Sequence, residues 1–366
     1  MRQTLLAAVL LLAVFFPVIA MAEETPTPPD EYMKGRVESV MGPLETDYPF
    51  PTESILQIRV TVEGLPAPVE AEYAENPLSS FDDLQPGDRV VIVKTSAFAG
   101  EPRYIIQDFY RLPSLFLLTL LFVFLAVCIA RWRAVTALAG LFCSLLILVY
   151  FTVPSIANGA SPFLVATVSA FVIATVSITV AHGFSRQTLV ALASTLLTLA
   201  AAVGFSVLAV SLSRMLGYGS EDAFSLQFSS TTFQNLRGLL LAGMIIGTLG
   251  VLDDVTTTQT AAIKEFADGG RETRSSLIRK GIAVGKEHVA SLINTLALAY
   301  VGASLPLILL FSLNSDMMPK WAILNSEVIS EEIVRTLVGS GALVLAVPLS
   351  TLLAAIYYSR RSRASV

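Results

Sequence analysis

Two adjacent carboxylates, Asp253 and Asp254, interrupt an otherwise apolar run, and Thr256, Thr257, Thr258 and Gln259 follow at once. An ionisable side chain at membrane depth is a candidate functional group, because burying it costs free energy that mere structure does not require. Hydroxyls and an amide beside carboxylates offer neutral oxygens to a hard cation or to a solute's polar groups. Adjacent helical positions point about 100° apart. The two acids therefore have different directions, one toward the bundle and the other suited to cap a following helix over Val255–Phe266. A plain cap at the boundary and a proton- or cation-responsive site are both compatible with this pattern.

Further polar groups fall near the same depth. His288, Ser291 and Thr295 are spaced along one helical face, with Asn294 beside it. His288 could meet Asp253 or Asp254, and a histidine beside a carboxylate relays protons. The candidate polar membrane site is therefore Asp253, Asp254, Thr257, His288 and Asn294. A plain histidine at the headgroup boundary is the alternative. Gly243, Gly247 and Gly250 precede the acids at small-xxx-small spacing, which lets another helix backbone approach. Near the start of the last apolar run, Glu331 and Glu332 stand four and three positions before Arg335, so either can pair with it along a helix.

The elements that position these groups are membrane spans. Hydrophobic residues make up 54% of the 366-residue chain and charged ones 14%, and the mean hydropathy is +0.68. Apolar runs reach the roughly 20 residues that a membrane helix needs. The spacing predicts seven spans, at 113–131, 134–153, 161–182, 187–212, 236–254, 289–312 and 330–358. Between the fifth and sixth, Asp268-Gly269-Gly270 breaks the helix, and Arg271–Lys286 reads as a basic amphipathic segment lying on an anionic leaflet. The alternative is that residues 267–286 dock a cytoplasmic partner.

The N-terminus reads as a signal peptide, residues 1–22, with Arg2 before an apolar Leu5–Ala20 and a small-residue cleavage site at Ala20-Met21-Ala22. A proline-rich linker follows over 23–33. Residues 34–112 switch to period two: Leu56, Ile58, Val60 and Val62 alternate with Gln57, Arg59, Thr61 and Glu63. Gln85-Pro86-Gly87-Asp88 is a turn. Short strands and polar turns predict a small β-barrel of the OB or SH3-like kind. Residues 113–366 then form the helical membrane domain.

Connections on one side carry twelve Lys and Arg, at 131–133, 186, 264–286 and 360–363. Those on the other carry four: Arg214, Arg237, Lys320 and Arg335. The positive-inside rule places the basic side and the C-terminus in the cytoplasm and the barrel outside, in a bacterial inner membrane. The signal peptide predicts the same direction.

No nucleic-acid stripe, P-loop, HExxH or CxxC occurs. The two cysteines and two histidines supply no metal cage, and no cofactor is expected. The residues fit a permease-like or export-associated protein for a small solute or ion. The alternative is a non-transporting scaffold joining an envelope partner at the barrel to a cytoplasmic partner.

Four blocks together resemble the YibE/F-like family of bacterial multi-pass membrane proteins. They are Ala181-His182-Gly183-Phe184, Gly243–Gln259, His288–Phe311 and Glu332–Pro348. The resemblance implies a small extracytoplasmic β domain ahead of a helical membrane domain. It implies no catalytic residues. It groups Asp253, His288, Asn294 and Arg335 in a shared pattern.

Overall fold

The computed structural model describes residues 31–43, 55–74, 84–96, 102–220, 222–223, 225–226, 235–270, 272–313 and 319–364. The expected signal peptide and most of the proline-rich linker lie outside the described residues. Those described fall into two compact units, one holding the strands and the first helix up to Ile129, the other the helices from Ala130 on.

The β unit is a closed five-stranded barrel. Its strands are β1 (Glu31–Pro43), β2 (Ile55–Val62), β3 (Val69–Ala74), β4 (Arg89–Ser96) and β5 (Pro102–Phe109), in the order β1-β2-β3-β5-β4 with β4 returning to β1. Alternation decides which side chains enter it. Ile58, Val60 and Val62 are buried with Val37, Val90, Ile92 and Ile106, while Arg59 and Thr61 point out. Gly87 takes φ +104° in the predicted turn, a conformation glycine adopts without steric cost. Outward residues pair across strands, as in Arg59 with Glu70 at 3.7 Å, and such exposed pairs add little stability.

The helices are α1 (Leu112–Ala130), α2 (Trp132–Ala157, with a π-helical turn at Leu148–Thr152), α3 (Pro162–His182), α4 (Arg186–Leu212) and α5 (Leu236–Asp268). They continue with α6 (Arg274–Ala303), α7 (Leu305–Leu313), α8 (Lys320–Asn325) and α9 (Glu327–Ala364). Six are long and apolar enough to cross a membrane. The pair α6–α7, bent by 60° around Ser304, makes a seventh if it is one broken span. This is a multi-pass helical membrane protein. Local chemistry sets the starts. Ser185 accepts from Thr188 N at 3.0 Å, Asn235 from Gly238 N at 2.8 Å, and Thr273 from Ser276 N at 3.2 Å.

Helix α5 is central. Its Ile245, Leu249, Leu252 and Val255 form one core with Ala170, Ile173 and Ala174 of α3, Leu199 and Ala202 of α4, and Ala342, Leu343, Ala346 and Val347 of α9.

Two boundaries differ from the sequence reading. The fifth span does not stop at residue 254: α5 runs unbroken to Asp268. The threonines do not end it, because Thr256 Oγ1 donates to Leu252 O at 2.9 Å and Thr257 Oγ1 to Asp253 O at 2.8 Å. Their hydroxyls are satisfied inside the helix. Asp254 is therefore mid-helix and caps nothing. The basic segment is not a separate element either. From Arg274 on it is the first half of α6, with Leu277, Gly281 and Gly285 buried. Glycine permits that burial: a Cβ on Gly281 would come within 2.7 Å of Thr351 Cγ2, so α6 and α9 approach too closely for any side chain.

Candidate functional site

Asp253 lies seventeen residues beyond the start of α5, about 25 Å along the helix at 1.5 Å per residue. Its Oδ2 accepts from Ser177 Oγ of α3 at 3.3 Å. Its Oδ1 is buried and has no hydrogen-bond partner among the described residues. Gly140 of α2 helps fix Ser177, since a Cβ there would sit 3.2 Å from the Ser177 carbonyl oxygen. His182 lies about one and a half turns beyond Ser177. It is exposed at the end of α3 and interacts electrostatically with Asp253, as does Asp254.

The carboxylate is thus turned toward α3 and not toward α6. His288 is half-buried and its Nε2 is buried without a hydrogen-bond partner among the described residues, and no hydrogen bond or ion pair joins it to Asp253. Asp254 is exposed, with only a long 3.5 Å contact from Thr258 Oγ1. Thr257 is half-buried and spends its proton on helix carbonyls. Asn294 is exposed on α6. Of the five candidate residues, Asp253 and Thr257 share a locality through the Asp253 carbonyl, and Asn294 stands apart.

A buried polar layer continues from Asp253 along the other side of α5. Thr256 and Thr195 of α4 share a 2.5 Å hydroxyl contact. One turn on, Gln259 Nε2 donates to Gly281 O and to Thr351 Oγ1, both at 2.7 Å. One amide therefore ties α5, α6 and α9 together. Thr260 is fully buried with its hydroxyl unpartnered.

The glycines of α5 face elsewhere. A Cβ on Gly243 or Gly250 would meet nothing within 4 Å, and one on Gly247 would meet only the Tyr300 hydroxyl at 3.3 Å. They leave an open small-residue face, and α5 packs into the bundle through its opposite, apolar face.

At the other end of α5 the acids of α9 divide their roles. Glu332 pairs with Arg335. Glu331, only 4% exposed, accepts from Gly219 N at 2.9 Å instead. One turn earlier, Glu327 Oε1 accepts from the backbone N–H of Leu216 and Gly217 at 2.6 Å and of Tyr218 at 3.3 Å. Successive N–H groups form an anion-binding concavity, filled here by the chain's own carboxylates. Gly217 has φ +93° and backbone atoms of Leu236 and Arg237 where a Cβ would stand, so it must be glycine, while a Cβ on Gly219 would displace the Glu331 carboxylate.

The sequence reading named His182 only within a family block, and it did not include Ser177 or this clasp. His182 is one of only two histidines and ends a span level with the acids, which is the signal that could have marked it. No such signal exists for the amide clasp, because its donors are backbone.

Among the described residues no group of three or more His, Cys, Asp or Glu is placed to hold a metal. No curated protein and no solved structure matches the chain. The helices from α2 to α8, the polar layer around Asp253 and the acid–arginine start of α9 all fall within residues 118–360, which match the family model described as YibE/F-like protein, and the chain belongs to that family.

Proposed function

We propose that the protein is permease-like or export-associated and moves a small solute or ion past Asp253. One observation carries this reading: a carboxylate in the central helix, with one buried oxygen that no donor among the described residues satisfies. Structure alone gives no reason to keep such a group. The 60° break between α6 and α7 supports it, since discontinuous helices line solute paths in transporters.

In the same proposal, residues 1–22 are a signal peptide and 23–33 a linker. The β domain, 34–112, is extracytoplasmic, and the membrane domain, 113–366, ends in the cytoplasm of a bacterial cell. The excess of Lys and Arg on one side of the spans supports that orientation. The Asp253–His182 end then faces the cytoplasm and the Glu327–Glu331 clasp faces out.

The test is solute flux in proteoliposomes with Asp253→Asn. Flux reduced about a hundredfold or more, the range for losing a positioned proton-transfer group, is expected. Unchanged flux removes Asp253 from the mechanism.

The scaffold reading is favoured by the open Gly243–Gly247–Gly250 face, which suits close approach by a partner's helix. Crosslinking from a cysteine at Gly243 that captures no stoichiometric protein would count against it.

A further inference from the structure

Helix α6 has two faces of different character. One packs inward. Gly281 and Gly285 are buried, Val289 and Leu292 lie against the main core, and a Cβ on Gly339 of α9 would stand 3.1 Å from Leu296 Cδ2. The opposite face is open. Ser291, Asn294, Leu298 and Val301 are all exposed, Leu298 by 62% and Val301 by 47%. A Cβ on Gly302 beside them would meet nothing within 4 Å. Thr295 returns its proton to Ser291 O at 3.1 Å, whereas the Asn294 amide has no hydrogen-bond partner among the described residues.

This open face is ill suited to lipid. No Asp, Glu, Lys, Arg or His occurs from 289 to 313, so Asn294 falls inside an apolar run. Acyl chains offer an amide no hydrogen bond, and a polar group left unsatisfied in hydrocarbon is costly.

We propose that the outward face of α6 is a self-association surface, on which a second copy of this chain seats with Asn294 against Asn294. Positions 291, 294, 298 and 301 alternate steps of three and four, which is the seam of a left-handed pair of helices. Hydroxyl and amide groups both donate and accept, so the seam complements a copy of itself. Two copies share one topology in the membrane. Their two-fold axis therefore stands along the membrane normal, and the paired α6 helices run parallel. Parallel pairing sets each residue opposite its counterpart at equal depth. Each Asn294 then donates an N–H to the other's side-chain carbonyl and accepts one in return. A second copy brings the matching amide to that depth by symmetry alone, and one Asn in such a seam also fixes the register. Gly302 lets the backbones approach closely. The 60° bend at Ser304 ends the seam, so α7 takes no part in it. The surface does not depend on transport, and it lies on a different helix from the Gly243–Gly250 face.

The experiment joins crosslinking with dilution in lipid, both on the full-length protein. In a background lacking Cys128 and Cys143, Ser291→Cys, Asn294→Cys, Leu298→Cys and Val301→Cys are each oxidised in native membranes. A disulfide requires Cα atoms within about 7 Å. Adducts of twice the chain mass are expected at these four positions. None is expected at inward-facing Leu296→Cys or at Leu208→Cys, which is exposed on α4. In liposomes diluted with lipid, energy transfer between labelled copies is expected to fall at about tenfold lower dilution for Asn294→Leu than for the unaltered protein, and Asn294→Gln restores most of the loss. Adducts as abundant at Leu208→Cys mean random collision and overturn the proposal. So do adducts of another mass, which place a different protein on the face. Unaltered protein that is monomeric at every protein-to-lipid ratio, while eluting as a folded monodisperse species, overturns it equally, as does Asn294→Leu associating undiminished.

Discussion

At the scale of single residues, burial and partner count separate the groups that carry a role from those that merely share their chemistry. Asp253 and Asp254 are adjacent acids, yet one contacts Ser177 with a buried oxygen and the other is exposed. Gln259 makes the sharpest stability prediction. Its amide holds Gly281 O and Thr351 Oγ1, so Gln259→Ala removes two buried hydrogen bonds. A loss of about 2–3 kcal/mol is expected, read as a lowered unfolding midpoint in detergent. Gly281→Ala has a different cause and a similar expected cost, about 1–3 kcal/mol, because its methyl would press on Thr351 and Ile263.

At the scale of elements, two junctions invite test. The connection after α4 is held to α9 by Glu327 and Glu331. Glu327→Ala is expected to destabilise by about 2–3 kcal/mol and to speed amide exchange at 216–218, measured by hydrogen-exchange mass spectrometry. Protection unchanged there would mean that the clasp does not hold the loop. The start of α6 gives the pH prediction. Lys280 Nζ donates to Glu272 at 2.6 Å, and that contact, with Ser276 second, holds the Glu272 carboxyl below its ordinary value of 4.5. A depressed carboxyl contributes stability that is present at neutral pH and is lost as pH falls through and below the ordinary Glu range. Lys280→Ala is expected to raise the Glu272 titration midpoint, followed by NMR of the carboxyl carbon.

At the scale of the whole molecule, orientation is the property to test. In a background lacking Cys128 and Cys143, Thr61→Cys lies on the exposed outer face of the barrel and Ala283→Cys is exposed near the start of α6. A membrane-impermeant maleimide applied to intact cells is expected to label the first and spare the second. The reverse pattern would invert the proposed topology.

Apolar run length and period-two alternation are local, so the spans and the barrel of strands were legible in sequence. Ile58, Val60 and Val62 alternate inward as their spacing predicts. The end of the fifth span was misread because aspartate and threonine weaken helices in isolation. Here the threonine hydroxyls bond back to the helix and packing outweighs propensity. The direction of Asp253 was not legible either. Sequence spacing sets which side chains share a face, but only the packing of α5 on α3 decides that Ser177 meets the Asp253 carboxylate. By itself the sequence determined a barrel followed by membrane helices with two acids at the end of the fifth apolar run. Tertiary structure decided which acid has a buried oxygen, that Ser177 contacts it, and that backbone amides hold Glu327 and Glu331, because those contacts join residues about 75 to 110 positions apart that no local pattern couples.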